Sequence, residues 1–166
     1  MGQTGQPFHS SRLPGLSTAA LASLGAGAVH AAATGVHAEH PSLARLFVVV
    51  AAAQLGVGMW ALLRPGRLAA WAIAGVNLAA VAGWVITRLT GVSFIEGLEV
   101  RETLQFADTM CALLGTGAAG AALASGLVGQ RPMSDDDARP RWSMPALAVA
   151  ALAVPAMWTG GTTVHS

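Results

Sequence analysis

The chain has 166 residues, of which 54% are hydrophobic and 10% are charged, and its mean hydropathy is +0.57. A soluble domain carries roughly a quarter charged residues, so this chain has too few to cover a water-exposed surface. Its net charge of +1 gives no electrostatic basis for binding nucleic acid. Composition therefore predicts a protein whose surroundings are a lipid bilayer, and it excludes a nucleic-acid partner.

Five long apolar runs predict an all-α fold, an integral membrane helical bundle of about five transmembrane helices. Residues 1–12 are polar and are predicted to form a disordered N-terminal tail. Residues 13–164 are predicted to form a single bundle. Each run approaches or exceeds the length of about 20 residues that a helix needs to cross a bilayer, and none alternates as a membrane barrel would. The predicted spans lie at about 13–37, 43–63, 68–88, 104–128 and 144–164.

The arginines predict how the bundle is oriented. All nine basic residues are arginine, and an N-in, C-out arrangement places six of them in inner segments and three in outer segments. This asymmetry follows the positive-inside rule. We therefore expect a multi-pass protein of a bacterial cytoplasmic membrane. We also expect its first span to be kept rather than cleaved as a signal peptide, because the apolar run is long for a signal sequence.

Small residues predict where the helices pack closely. Helices in lipid gain little from hydrophobic burial against each other, so small residues that let backbones approach become important. The first span carries such a face at Gly27, Ala31 and Gly35. The fourth carries a longer one, at Gly115, Gly117, Gly120, Ala121, Ala124, Ser125 and Gly126. Each face is predicted to be a packing surface within the bundle, or alternatively a dimerisation surface.

Two amides lie near the middle of the second and third spans. Gln54 and Asn77 are at similar distances from the turn that joins these spans, at Arg64–Arg67. Because consecutive spans run antiparallel, the two amides should lie at the same depth. We predict a structural hydrogen bond between them, worth about 0.5–2 kcal/mol in a membrane. The alternative is that they line a polar path.

The chemically richest region is predicted at the outer end of the bundle. At 100° per residue, His30 and His37 differ by about 20° around the first helix, and His40 lies about 80° from His30. The orientation gathers further polar residues at this end: Asp108, Glu99 and Glu102 as carboxylates, and Arg88 as a charge anchor. Imidazole and carboxylate are common ligands of transition metals, and ionisable groups at membrane depth commonly mark functional sites.

These residues predict a site that binds, senses or passes a transition metal or protons. The predicted ligands are His30, His37, His40, Asp108, Glu99 and Glu102, and the cofactor of such a set would be zinc, copper or iron. The alternative is an accessory or structural subunit of a larger membrane complex, with a membrane protein or a second copy as partner. In that case Arg88 and Asp108 are a simple ion pair. Enzymatic activity is disfavoured, and no catalytic residue is predicted.

Part of the chain resembles small multispanning membrane proteins of actinobacteria. The resemblance runs from about Gly27 to Leu114 and rests on Val29-His30-Ala31-Ala32-Ala33, His37-Ala38-Glu39-His40, Gly75-Val76-Asn77 and Trp84-Val85-Ile86-Thr87-Arg88. It implies a membrane location and a helical bundle. It supplies no activity, cofactor or site residue.

Overall fold

The structure is a computed structural model that describes residue 13 and residues 15–90, 105–128 and 143–162. Five helices make up nearly all of these ranges: α1 (Leu16–Val36), α2 (Pro41–Leu63), α3 (Arg67–Leu89), α4 (Phe106–Val128) and α5 (Ser143–Thr162). The described residues contain no strand. The predicted all-helical bundle is therefore confirmed. The predicted N-terminal tail lies outside the described residues.

Four helices are long and apolar enough to cross a bilayer, namely α1 to α4. The apolar part of α5 is shorter, Met144–Thr159, and Pro155 lies inside this helix. Large apolar side chains such as Val49, Leu68 and Leu127 are exposed on the bundle surface, where water would disfavour them. This chain is thus a membrane protein. The bilayer orientation inferred from the arginines stays a prediction.

Local sequence explains where the helices begin and end. Pro41 is the first residue of α2, two residues before the predicted start at residue 43, because a first-turn residue needs no backbone N–H and proline supplies the helical φ angle. The α2–α3 connection is short: α2 ends at Leu63 and α3 begins at Arg67, after an extended Gly66. Consecutive helices are therefore antiparallel neighbours.

α1 is the central helix of the bundle, and it contacts all four of the others. The end of the bundle that holds the turn between α1 and α2 also holds the end of α3 and the start of α4. We call it the α1–α2 end. At this end the chain order brings together residues of α1, α3 and α4 that are far apart in the sequence.

Glycines permit a close contact between α1 and α2. A Cβ placed on Gly27 would lie 3.1 Å from the backbone nitrogen of Leu55 and 3.2 Å from the carbonyl oxygen of Ala51. A Cβ on Gly58 would lie 3.0 Å from the carbonyl oxygen of Ala20. Each Cβ would also lie 2.9 Å from a leucine Cγ, of Leu55 and of Leu24 respectively, but the backbone atoms are the obstacles that cannot rotate away. These two glycines therefore set the separation of α1 and α2.

The predicted small-residue faces are only partly used for packing. Gly115 packs against Val81 and Asn77, and Gly126 packs against Trp71. By contrast, Gly35, Gly117 and Gly120 have open space where a side chain would begin. We expected each face to pack as a whole inside the bundle, and this is wrong for these three positions. Each lies on a side of its helix where no described atom is within 4 Å of an added Cβ.

Candidate functional site: a buried polar chain that ends at His30

Four polar side chains from α1, α2 and α3 form a continuous chain inside the bundle. Gln54 Nε2 donates a hydrogen bond to Asn77 Oδ1 at 3.0 Å, the contact expected from the matched depth of the two amides. Asn77 Nδ2 donates to Ser23 Oγ at 3.0 Å, and Ser23 Oγ donates to the carbonyl oxygen of Gln54 at 2.9 Å. His30 Nδ1 lies 2.9 Å from Gln54 Oε1 and completes the chain.

The chain is buried where solvent cannot replace its bonds. Ser23, Gln54 and Asn77 are each at most 1% exposed. An unpaired polar group at such a position costs several kcal/mol in a hydrocarbon environment, which explains why every amide atom has a partner. Close approach of α1 and α2 at Gly27 and Gly58 lets the short Ser23 side chain reach the backbone of α2. Packing and hydrogen bonding are thus linked.

Ser23 was not predicted, although the sequence contains its signal. Ser23, His30 and His37 are spaced by seven residues, so they lie on one face of α1 with a drift of about 20° per step. The seven-residue spacing that puts His30 and His37 on one side of α1 puts Ser23 on that side as well. A serine in a membrane helix does not by itself indicate a site, because its hydroxyl can donate a hydrogen bond to a carbonyl oxygen of its own helix.

Cys111 of α4 is a second residue beside the buried chain that was not predicted to belong to the site. Its sulfur lies 3.3 Å from His30 Nδ1 and 3.9 Å from His30 Nε2. The thiol is also 3.5 Å from the carbonyl oxygen of Ala26. Cys111 follows Asp108 by about one helical turn, so the two residues lie on the same side of α4. This spacing implicates Cys111 in the site only once α1 and α4 are known to be neighbours.

The three predicted histidines do not converge. His37 Nδ1 lies 2.9 Å from the carbonyl oxygen of Ala33 in its own helix. The Phe47 ring contacts both His30 and His37, at centroid distances of 5.6 and 4.8 Å. His40 lies in the turn that precedes α2, where its carbonyl oxygen accepts a bond from the backbone of Ala44. Seven helical residues separate the Cα atoms of His30 and His37 by about 10 Å, and an aromatic ring contacts both imidazoles.

No group of three His, Cys, Asp or Glu side chains in residues 13, 15–90, 105–128 and 143–162 is placed to hold a metal ion. Among the predicted ligands, His30, His37, His40 and Asp108 are therefore not assembled into a metal site by themselves. Glu99 and Glu102 lie outside the described residues. A site that includes these two carboxylates stays a prediction.

Arg88 and Asp108 form an ion pair at the α1–α2 end. Arg88 Nη2 donates to Asp108 Oδ2 at 2.6 Å, and Nη1 donates to Thr87 Oγ1 at 3.2 Å. The guanidinium carbon lies 5.4 Å from the Trp84 ring centroid, within cation–π range. Arg88 Nε and Trp84 Nε1 are buried without a hydrogen-bond partner in the described part of the chain. Asp108 is within electrostatic range of His30, so the ion pair lies beside the end of the buried chain.

No family model, no curated protein and no solved structure matches this chain. The chemistry of the site therefore follows from its own geometry. It is a neutral hydrogen-bonded chain closed at one end by backbone carbonyls and ending at the other in an imidazole, next to a carboxylate that an arginine neutralises.

Proposed function

We propose that this chain is a small multi-pass protein of a bacterial cytoplasmic membrane that binds protons at His30 and thereby senses or passes them. The observation that supports this function is the contact of His30 Nδ1 with Gln54 Oε1 at 2.9 Å, at the end of a buried chain of amides. Imidazole is the side chain that changes charge near neutral pH. A histidine tied to a fixed polar chain is a common way to hold a proton within a membrane protein.

The geometry supports protons over a transition metal. A metal needs several ligands that converge on one point at bonds of about 2.0–2.3 Å. Here Gln54 and the carbonyl of Ala33 occupy one nitrogen of His30 and His37 respectively, while Phe47 contacts both rings. A proton needs only one ring nitrogen with a free lone pair, and Asp108, although paired with Arg88, lies within electrostatic range of His30.

A potentiometric titration of the purified protein tests the proposal. The wild type and His30→Gln are titrated from about pH 8 to about pH 4, the range in which histidine titrates. We expect His30→Gln to take up one proton fewer per chain than the wild type. His37→Gln is the matched control for loss of an imidazole outside the buried chain. Equal proton uptake by the wild type and His30→Gln would contradict proton binding at His30.

Elemental analysis separates the proton from the metal hypothesis. The wild type is compared with a variant that carries His30→Ala, His37→Ala and His40→Ala. We expect neither protein to retain stoichiometric zinc, copper or iron. Stoichiometric metal in the wild type that is lost in the variant would favour the metal hypothesis and a site that includes Glu99 or Glu102.

A second candidate function is an accessory subunit of a larger membrane complex. The observation that favours it is the open α4 surface at Gly117 and Gly120, where small residues leave room for another helix. In this case the partner is a membrane protein or a second copy of the chain. Gly117→Leu and Gly120→Leu would then disrupt the complex and leave proton uptake unchanged.

A further inference from the structure

Each hydrogen bond in the buried chain has an assignable donor and acceptor, because the chain begins at carbonyl oxygens that can only accept hydrogen bonds. Asn77 Nδ2 lies 2.9 Å from the carbonyl oxygen of Ile73, and Ser23 Oγ lies 2.9 Å from the carbonyl oxygen of Gln54. A carbonyl oxygen has no proton to donate. The atom of Asn77 that faces Ile73 is thus its NH₂ group, and the single hydroxyl proton of Ser23 is committed to Gln54.

The donor and acceptor roles fixed by these two carbonyls determine the roles of Asn77 and then of Gln54. Since the proton of Ser23 is used, its oxygen accepts from Asn77 Nδ2 at 3.0 Å. The other amide atom of Asn77 is an oxygen, and it accepts from Gln54 Nε2 at 3.0 Å. The remaining amide atom of Gln54 is therefore also an oxygen. It faces His30 Nδ1 and can only accept.

His30 must then donate from Nδ1. In its neutral form the ring carries its one proton on Nδ1, which leaves the lone pair on Nε2. The contact of Nε2 with the sulfur of Cys111 is 3.9 Å, which is long for a hydrogen bond. Resting on the proposed function, we infer that Nε2 of His30 is the atom that accepts the proton, and that Gln54 holds the ring in this tautomer.

The charged groups around the ring fit this assignment. On α4, Asp108 lies within electrostatic range of His30, and it is paired with Arg88 of α3. On α1, His37 lies two turns further towards the α1–α2 end. Neither α2 between Leu46 and Leu63 nor α5 between Met144 and Thr159 carries a titratable side chain. Protonation of Nε2 therefore creates a cation within electrostatic range of the carboxylate that Arg88 already binds.

Magic-angle-spinning NMR tests the inference on the full chain. Protein labelled with ¹⁵N-histidine is reconstituted in phosphatidylcholine–phosphatidylglycerol vesicles, and the His30 signals are assigned by comparison with His30→Gln. At neutral pH we expect a protonated Nδ1 and an unprotonated Nε2, and on acidification a protonated Nε2. A neutral ring that carries its proton on Nε2 would overturn the inference.

A variant and a pH series separate this inference from the proposed function. Gln54→Leu removes the acceptor and should shift the neutral ring towards the Nε2–H tautomer, whereas Thr116→Val, on the exposed face of α4, should leave the spectrum unchanged. If Gln54→Leu does not fold, the wild-type spectrum decides alone. A ring that titrates with its lone pair on Nδ1 overturns the inference and leaves the proposed function standing. A ring that never takes up a proton overturns both.

Discussion

The two faces of α1 pack against their neighbouring helices through different kinds of contact. The face towards α2 and α3 carries Ser23, Gly27 and His30, which bring backbones close together and make hydrogen bonds across helices. The face towards α4 and α5 carries Ala26 and Val29, which pack in an apolar cluster with residues such as Leu114.

This difference shows what each kind of contact can specify inside a membrane. Apolar side chains contact lipid about as favourably as they contact each other, so the α4–α5 side gains mainly from fit. Hydrogen bonds have defined partners and directions, so the α2–α3 side fixes how the helices are rotated and aligned. We therefore expect the polar face to tolerate change less than the apolar face.

The largest expected effect on stability comes from adding one methyl group to a glycine on each face of α1. Gly27→Ala places a Cβ against the backbone of Leu55 and Ala51, whereas Gly25→Ala places one 2.7 Å from the side-chain tip of Val149. A side chain can change rotamer and a backbone cannot, so Gly27→Ala should cost about 2–3 kcal/mol and Gly25→Ala about half as much. Unfolding by titration with denaturing detergent measures both.

Gly35→Ala is the matched control for these two variants, because this glycine of α1 has open space where a side chain would begin. It should be neutral or slightly stabilising, since alanine favours helix over glycine by up to about 1 kcal/mol. If Gly25→Ala proved more costly than Gly27→Ala, the proposed contrast between the faces would be wrong.

The next largest effect should come from interrupting the buried chain. Asn77→Leu keeps the side chain similar in size but leaves Gln54 Nε2 without its acceptor and Ser23 Oγ without its donor. We expect a loss of about 1–2 kcal/mol, the upper range for polar contacts between membrane helices. Thr116→Val is the control, because Thr116 is exposed and its hydroxyl bonds only to Ala112 of its own helix. Equal stability of Asn77→Leu and Thr116→Val would show that the chain contributes nothing.

The smallest effect is expected at the ion pair. Arg88→Leu leaves the half-buried carboxylate of Asp108 without its cation, and should cost about 1 kcal/mol. Replacing both residues, Arg88→Leu with Asp108→Leu, should recover most of that loss, because no charge is then left unpaired. The detergent titration again measures the change. A double variant less stable than Arg88→Leu would mean that the pair has a role beyond mutual neutralisation.

The sequence predicted the helices well and the site incompletely, for physical reasons. A long apolar run has one main structural solution in lipid, so the helix ends were predicted to within a few residues, including the start of α2 at Pro41. The Gln54–Asn77 contact could be predicted because both residues are counted from one short turn. The contacts of His30 with Gln54 and Cys111 could not be predicted, since they depend on how α1 is rotated against α2 and α4.

The periodicity of a single helix does not by itself establish a metal site. Helical periodicity correctly places His30 and His37 on the same face of α1, but it does not say which residue of another helix lies beside them. Phe47 of α2 contacts both rings. A shared face is therefore a weaker condition than convergence on one point, which a metal requires.

Proton binding at the end of the buried chain depends most directly on the contact between His30 and Gln54 in a bilayer. Magic-angle-spinning NMR on vesicle-reconstituted protein, with ¹⁵N-histidine and ¹³C-glutamine labels, detects dipolar transfer from the His30 ring to the side-chain carbonyl carbon of Gln54. We predict a strong transfer signal that is lost in His30→Gln and kept in Thr116→Val. Absence of that signal in the wild type would mean that His30 does not end the buried chain, and the central claim would fail.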